Sequence, residues 1–466
     1  MTIKKSEGIT SSEQYLSKLC RRSFLSLWSY SNLYTDKGRK SGKGIGKELC
    51  DLLVIFGADV ILFSVKFIQF HRLIDIQIAW KRWFRRAVLS SAKQLYGAES
   101  WLRRYPDRIY LDPHCSRKVP IGLPDKDVMR IHRIAVALGI HDACKEFFGG
   151  KSLGSLIVDS LLRGAEHFDF PFFIGHVSPD KGYVHVLDDF TLDAILQELD
   201  TISDFVAYLT KKEQLLTRAK PKIIAAGEEQ LLALYLTRVS SAREHDFVLP
   251  DNTENMDFIH FDEGFWENMV HNPQYIAKKQ ANRKSYIWDQ LIEQFIKHGK
   301  GYDFNTKHEF PIIEHEPALR LMASEPRVRR RHLGQSLLDL LENAPKERGA
   351  TRLLYSPDFP NVAYLFLILP QPPDELYEEY HERRRTMLMA YCKVAKLRVM
   401  DAVYILGIAT QPIGTKRTSE DFIVVDTSEW TPKMQQEAET LQKKFLLLLD
   451  DNVSRSEGRM KEYPDI

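Results

Sequence analysis

The stretch from Gly46 to Lys66 constrains this chain more than any other. Two β-rich apolar runs, Leu52 to Phe56 and Val60 to Phe63, flank Gly57-Ala58-Asp59. Short runs of this kind on either side of a turn signal predict a buried hairpin. A core hairpin has no need of charge at its ends, yet Glu48 and Asp51 stand at the entry and Lys66 at the exit. Because the chain reverses near residue 58, Asp51 and Lys66 come to the same end. Glu48 precedes Asp51 by three residues, which puts it within reach of that point if the chain ahead of the strand is helical. Two carboxylates and a lysine gathered at a strand end suit a hard divalent cation with a water beside it.

The charge distribution indicates what such a site would face. Residues 1–110 carry 20 Lys/Arg against 9 Asp/Glu, an excess of +11, while the whole chain is only +2, which leaves −9 for the remainder. That asymmetry predicts a polyanion-facing N-terminal part joined to an acidic one. The Gly-rich basic stretch 35–44, with Lys43 and then Lys47, precedes Glu48 and reads as a loop over a nucleic-acid path. Residues 75–104 read as one long helix or a helix pair. Lys81, Arg82, Arg85, Arg86 and Lys93 form its cationic face, in register with Trp80 and Trp83. Such a face suits contacts to phosphates and stacked bases. Gln94 projects from the same helix.

A Glu and an Asp before one hairpin strand, a Lys ending its partner and a Gln on the next helix resemble the core of the PD-(D/E)XK nucleases. The resemblance is nearest to their nuclease-related-domain and Mrr-like branch and covers about residues 10–110. The family pattern is a helical Glu, an Asp opening a strand, acid-x-Lys, and a helical Gln; here these positions fall on Glu48, Asp51, Lys66 and Gln94. Ser64 occupies the place of the acid in acid-x-Lys. The resemblance implies an αβ sandwich, Mg2+ or Mn2+ held by Asp51 and Glu48, and phosphodiester cleavage with Glu48, Asp51, Ser64, Lys66 and Gln94 in the catalytic set. It implies DNA as the polymer, with RNA left open. By analogy, a nuclease with a large C-terminal extension suggests restriction of foreign DNA such as phage. Ser64 leaves the metal only two obvious carboxylates. Two rival readings therefore stand: a nucleic-acid-binding module without catalysis, and an interaction or assembly protein on a vestigial nuclease fold.

With 466 residues, 44% of them hydrophobic and 27% charged, the chain is predicted to hold two to three domains of the α/β class, α+β overall. The expected units are 1–150 (nuclease-like), 151–345 (mixed and helix-rich) and 346–466. The last is a small α/β domain for sensing or assembly, through which the chain would meet a partner or a second copy. In it Val362–Leu369, Ala402–Ala409 and Asp421–Asp426 read as strands. Glu375–Arg398 reads as a helix, as does Pro432–Leu449 with Thr431 as its cap. Further back, Ser11-Ser12-Glu13 reads as a helix cap, Val184–Asp189 as a strand end and Leu192–Leu209 as one helix. Asp188, Asp189, Asp193, Glu198, Asp200 and Asp204 read as solvated charge, and Glu314-His315-Glu316 as an extended segment without a role. Five scattered cysteines point to neither disulfides nor zinc. The absence of an apolar leader or of a long uncharged apolar run points to a cytoplasmic protein without a membrane span.

Overall fold

The computed structural model describes residues 5–464 except 40–42, 151, 241–243, 251–252, 254–255, 299, 304–307 and 416–418. It is a mixed α/β structure built on three principal sheets. Helix α1 (Ser11–Trp28) opens with a capping box in which Thr10 and Glu13 each bond the other's backbone N–H, satisfying two of the donors a helix start leaves open. The cap is thus Thr10, one residue ahead of the expected Ser11-Ser12-Glu13. Leu16, Cys20, Phe24 and Leu27 bury one face of the helix. Three antiparallel strands follow: β1 (Ser29–Thr35), β2 (Lys47–Phe56) and β3 (Asp59–Phe67). Gly57 makes the β2–β3 turn at φ +59°, a left-handed conformation that costs glycine little.

Helix α2 (Ile76–Phe84) runs through a π-helical turn at 85–89 into α3 (Ser90–Arg104). The expected helix or helix pair is therefore one rod with an irregular middle. Strand β4 (Arg130–Leu138) lies parallel to β3. After α4 (His141–Phe147) come β5 (Ile157–Arg163), β6 (Phe173–His176) and β7 (Val184–Leu187). The last of these pairs with β4, giving a first sheet of order β1-β2-β3-β4-β7. That sheet therefore runs past the boundary expected at residue 150. Its two faces are covered differently: Phe63 of β3 meets Phe24 of α1 at 6.2 Å between centroids, whereas its neighbour Ser64 faces α3 through Gln94. This is the alternation a strand imposes.

The segment expected as one helix from 192 to 209 is two, α5 (Thr191–Glu198) and α6 (Ile202–Thr217). Thr201 caps the second by accepting from the Asp204 N–H. Strand β8 (Lys222–Ala225), α7 (Glu228–Thr237) and β9 (Phe258–Phe261) complete a second sheet of order β6-β5-β8-β9. Helices α8 (Phe265–Val270), α9 (Pro273–Asn282) and α10 (Tyr286–His298) precede a short hairpin of β10 (Lys300–Asp303) and β11 (His308–Pro311). The Glu314-His315-Glu316 segment, expected to be extended, is a 3-10 turn leading into α11 (Glu316–Ala323).

Helix α12 (Arg327–Asn343) carries buried arginines that hold the helix-rich middle of the chain together. Arg327 bonds Asp200 at 2.7 Å and Asp289 at 2.8 Å, Arg330 bonds Asp289 at 2.6 Å, and Arg329 bonds Glu325 at 2.8 Å. The third sheet has β12 (Ala350–Leu354), β13 (Val362–Ile368), β14 (Tyr404–Thr410) and β15 (Asp421–Asp426) in sequence order. Helix α13 (Tyr377–Ala395) crosses between the parallel β13 and β14, and α14 (Pro432–Phe445) starts at the Thr431 cap. Strand β12 carries no strong sequence signal and is an addition to the expected elements. Trp288 of α10 packs edge-on to Tyr364 of β13 at 5.2 Å, so the third sheet shares its core with the middle of the chain. No helix among the described residues is long and apolar enough to cross a membrane.

Candidate active site

Asp51 sits in β2 with only 3% of its surface exposed. Its Oδ2 accepts the Val65 N–H at 2.5 Å and lies 3.8 Å from the Lys66 amine. Its Oδ1 accepts from Gln94 Nε2 at 3.2 Å, and Gln94 Oε1 accepts from the Ser64 hydroxyl at 2.9 Å. A chain of hydrogen bonds thus runs Ser64 to Gln94 to Asp51, across two strands and a helix. Ser64 and Lys66 share a side of β3 because they are two residues apart. Ser64 is fully buried and fixes the orientation of Gln94.

Glu48 reaches this end of the hairpin by a different route from the one its spacing predicts. It is on strand β2, not on a helix. In a regular strand, residues 48 and 51 would point to opposite faces. The register against β1 slips between the Leu33–Cys50 and Tyr34–Glu48 pairs, leaving Leu49 as a bulge. A bulge re-aims the residue next to it, and Glu48 stands at the same end of β2 as Asp51 with its Oε1 held by the Asn32 amide.

Two residues that the sequence reading did not place in the site complete it. Asn32, fully buried at φ +50°, donates from Nδ2 to Glu48 Oε1 at 3.0 Å and to Glu13 Oε2 at 2.8 Å. Glu13, at the start of α1, is thus joined to Glu48 through one amide. The available signals were the capping box itself and an asparagine inside a strand, where it is disfavoured unless a side-chain bond holds it.

Burial dominates the electrostatics of the site. Burial pushes the Asp51 carboxyl above its ordinary range despite the pull of Lys66 and the Val65 N–H. Burial also raises Glu48, where repulsion from Asp51 and Glu13 adds to it and the Asn32 bond opposes it. At Glu13 burial acts in the same sense, but bonds from Asn32, Ile9 and Thr10 outweigh it and hold the group below its usual value. These are hard oxygen donors, and a cation would relieve two raised carboxylates, so the donor chemistry fits Mg2+ or Mn2+. Yet no three acid, imidazole or thiol groups among the described residues draw together as a ready metal cage. Asp51 and Glu48 are the pair that could hold an ion, and Glu13 stands behind Glu48, two hydrogen bonds away through Asn32.

The cationic residues divide. Lys43 and Lys47 are exposed at the entry to β2, and Lys93 is exposed beside Gln94. Arg82 and Arg86 are exposed and line a pocket of about 140 Å3 with Gln69 and His71, just past the end of β3. Lys81 instead pairs with Asp169 at 3.4 Å, and Arg85 lies over Phe168 at 4.7 Å. Lys81 and Arg85, four residues apart, share one face, and Arg82 and Arg86, also four apart, share another, so the single face expected for Lys81, Arg82, Arg85 and Arg86 is two. Trp80 and Trp83 are core residues, 0% and 2% exposed, with their N–H groups bonded to the His167 and Ile68 carbonyls. They are unavailable to stack on bases.

The acids at 188–204 hold structure together rather than facing solvent. Asp188 caps the start of α5, Asp189 accepts the Gly139 and Ile140 N–H groups, and Asp193 accepts from Tyr15. Glu198 accepts from Tyr275, Asp200 from Arg327, and Asp204 from the Arg327 N–H. All five cysteines are free thiols. Against family models, curated proteins and solved structures, the chain has no match.

Proposed function

We propose that this protein is a metal-dependent nuclease whose site lies at the open end of the β2–β3 hairpin. The observation that carries the reading is the meeting of Asp51 with Lys66 and Gln94 at that end, with Glu48 three residues before Asp51 on the same strand, within a helix, three-strand meander, helix and parallel-strand order. Asp51 and Glu48 would hold Mg2+ or Mn2+. The chemistry such a cation supplies is polarisation of a phosphate and activation of a water. Lys66, a third exposed at its side chain, orients the water or offsets charge developing on the phosphate. Gln94 fixes the Asp51 carboxylate and is itself fixed by Ser64. Glu13, through Asn32, sets the position of Glu48. These are outer supports of the kind that tune affinity and alignment at metal sites.

DNA is the favoured polymer and restriction of foreign DNA the favoured setting, both resting on the resemblance of the hairpin residues to the PD-(D/E)XK pattern. The binding-module reading keeps one specific support: the third carboxylate is absent at position 64, and the nearest substitute, Glu13, is bonded to Asn32. Incubation of labelled DNA and RNA with the full chain separates the two. The nuclease reading expects cleavage with Mn2+, none in chelator, and loss in Lys66→Ala with binding retained. Binding that persists while wild-type protein cleaves nothing under any metal would leave the binding module.

A further inference from the structure

A cleft of about 980 Å3 opens at the carboxyl ends of β3, β4 and β7, lined by Phe67, Phe70, His71, Leu73 and Phe190 among others. Its size lies in the range of small-ligand sites, roughly 300–1,000 Å3. Its position is where open α/β sheets bind ligands. Phe67 is 62% exposed and Leu73 fully exposed at 100%, so an aromatic ring stands open to solvent one residue from Lys66. The pocket of Arg82 and Arg86 shares Gln69 and His71 with this cleft. Neither arginine has an ion-pair partner among the described residues. The acids of the cleft are already committed: Asp142 pairs with Arg72 at 3.0 Å, and Asp189 accepts backbone N–H groups. Aromatic faces and arginines without an ion-pair partner therefore lie together, and the two acids of the cleft are turned to Arg72 and to backbone N–H groups.

Consecutive strand residues point to opposite faces, so Lys66 and Phe67 straddle the end of β3. Lys66 stands beside Asp51 on the side of α3, and Phe67 stands in the cleft. We infer that the substrate is an unpaired strand crossing this edge, its phosphate at Asp51 and Lys66 and its base stacked on Phe67. The inference rests on the nuclease reading and adds the substrate class: single-stranded nucleic acid or an unpaired end. A duplex holds its bases in the stack and cannot swing one round the sheet end without flipping it out. A single strand can, and stacking on aromatic rings beside backbone-tracking cations is how sequence-tolerant single-strand binding is built.

Fluorescence anisotropy in chelator tests this on the full chain, with labelled single-stranded DNA, single-stranded RNA and blunt duplex DNA of one length and sequence. Phe67→Ala removes the ring and Phe67→Tyr keeps it; at so exposed a position both variants should fold. The expected result is single-strand affinity at least about tenfold above duplex affinity. Phe67→Ala should lose roughly tenfold on the single strand and little on the duplex, and Phe67→Tyr should match wild type. The DNA and RNA arms tell the two polymers apart. Equal affinity for strand and duplex, no effect of Phe67→Ala, or equal losses in both variants would overturn the inference and leave the nuclease reading standing. No binding to any nucleic acid, either in chelator or with Ca2+ standing in for Mn2+, would overturn the nuclease reading itself.

Discussion

Replacing Asp51 by Asn should make the metal-free protein more stable, and metal should reverse the order. Taking a carboxylate out of water costs several kcal/mol even after relaxation. The Lys66 amine at 3.8 Å returns at most about 4 kcal/mol at the effective dielectric of such sites. That figure is discounted because the lysine side chain is a third exposed. Desolvation wins, which is why the folded-state carboxyl is raised. The asparagine keeps the hydrogen bonds: its oxygen accepts the Val65 N–H, and its amide donates to Gln94 once that side chain flips and the Ser64 hydroxyl turns to accept. A gain of about 1 kcal/mol is the usual size for relieving a strained functional site, roughly 2 °C in a chain of this length. The sign with pH follows from the direction of the shift. An acid raised on folding costs nothing below its unfolded value near ~3.9 and costs in full above its folded value. The advantage of the variant should therefore be absent at acid pH and grow as pH rises to neutrality. With Mn2+ at about 100 times its dissociation constant, wild type gains about 2.7 kcal/mol and the variant gains little, so the order inverts. Thermal melts of both proteins across pH, with and without Mn2+, read all three effects. A variant less stable than wild type at neutral pH without metal would refute the reasoning.

The remaining predictions test the supports around the site and its flanks. Gln94→Ala should weaken Mn2+ affinity or cleavage by about 10- to 100-fold with the fold intact, and Ser64→Ala less, as one neutral hydrogen bond is lost; titration calorimetry and initial rates measure both. Ser64→Glu places a further carboxylate in a fully buried position and should destabilise the metal-free protein by about 1–3 kcal/mol, with Mn2+ restoring the melting temperature. Arg82→Ala with Arg86→Ala should flatten the salt dependence of nucleic-acid binding by roughly two units without changing the melt. Arg327→Met should cost about 3–5 kcal/mol in denaturant unfolding, because Asp200 and Asp289 lose a buried partner.

The hairpin was legible because β-branched and aromatic runs on either side of Gly57 admit few other structures, and Lys66 lies within 3.8 Å of Asp51. Gln94 was singled out by the resemblance, which calls for a Gln on the helix after the hairpin, and it does bond Asp51. Glu48 was not placed correctly, since a bulge at Leu49 changes side-chain parity and no periodicity announces it. Glu13 was read only as a cap, although its carboxylate both closes the start of α1 and reaches Asn32. The tryptophans of α2 illustrate a general ambiguity: an aromatic beside a cation can be a stacking platform or the apolar edge of an amphipathic helix. Here the stripe of Trp80, Trp83, Phe84 and Ala87 is buried, and burial decides it. The break between α5 and α6 had a local sign in Thr201 with Asp204 three residues on. The continuous apolar pattern across it outweighed that sign.

Anomalous diffraction from a crystal soaked in Mn2+ tests the central claim most directly. The account predicts one strong peak at the open end of the β2–β3 hairpin, about 2.1 Å from carboxylate oxygens of Asp51 and Glu48, that disappears in Asp51→Asn. A fully occupied Mn2+ elsewhere in the molecule with none at Asp51 would contradict it.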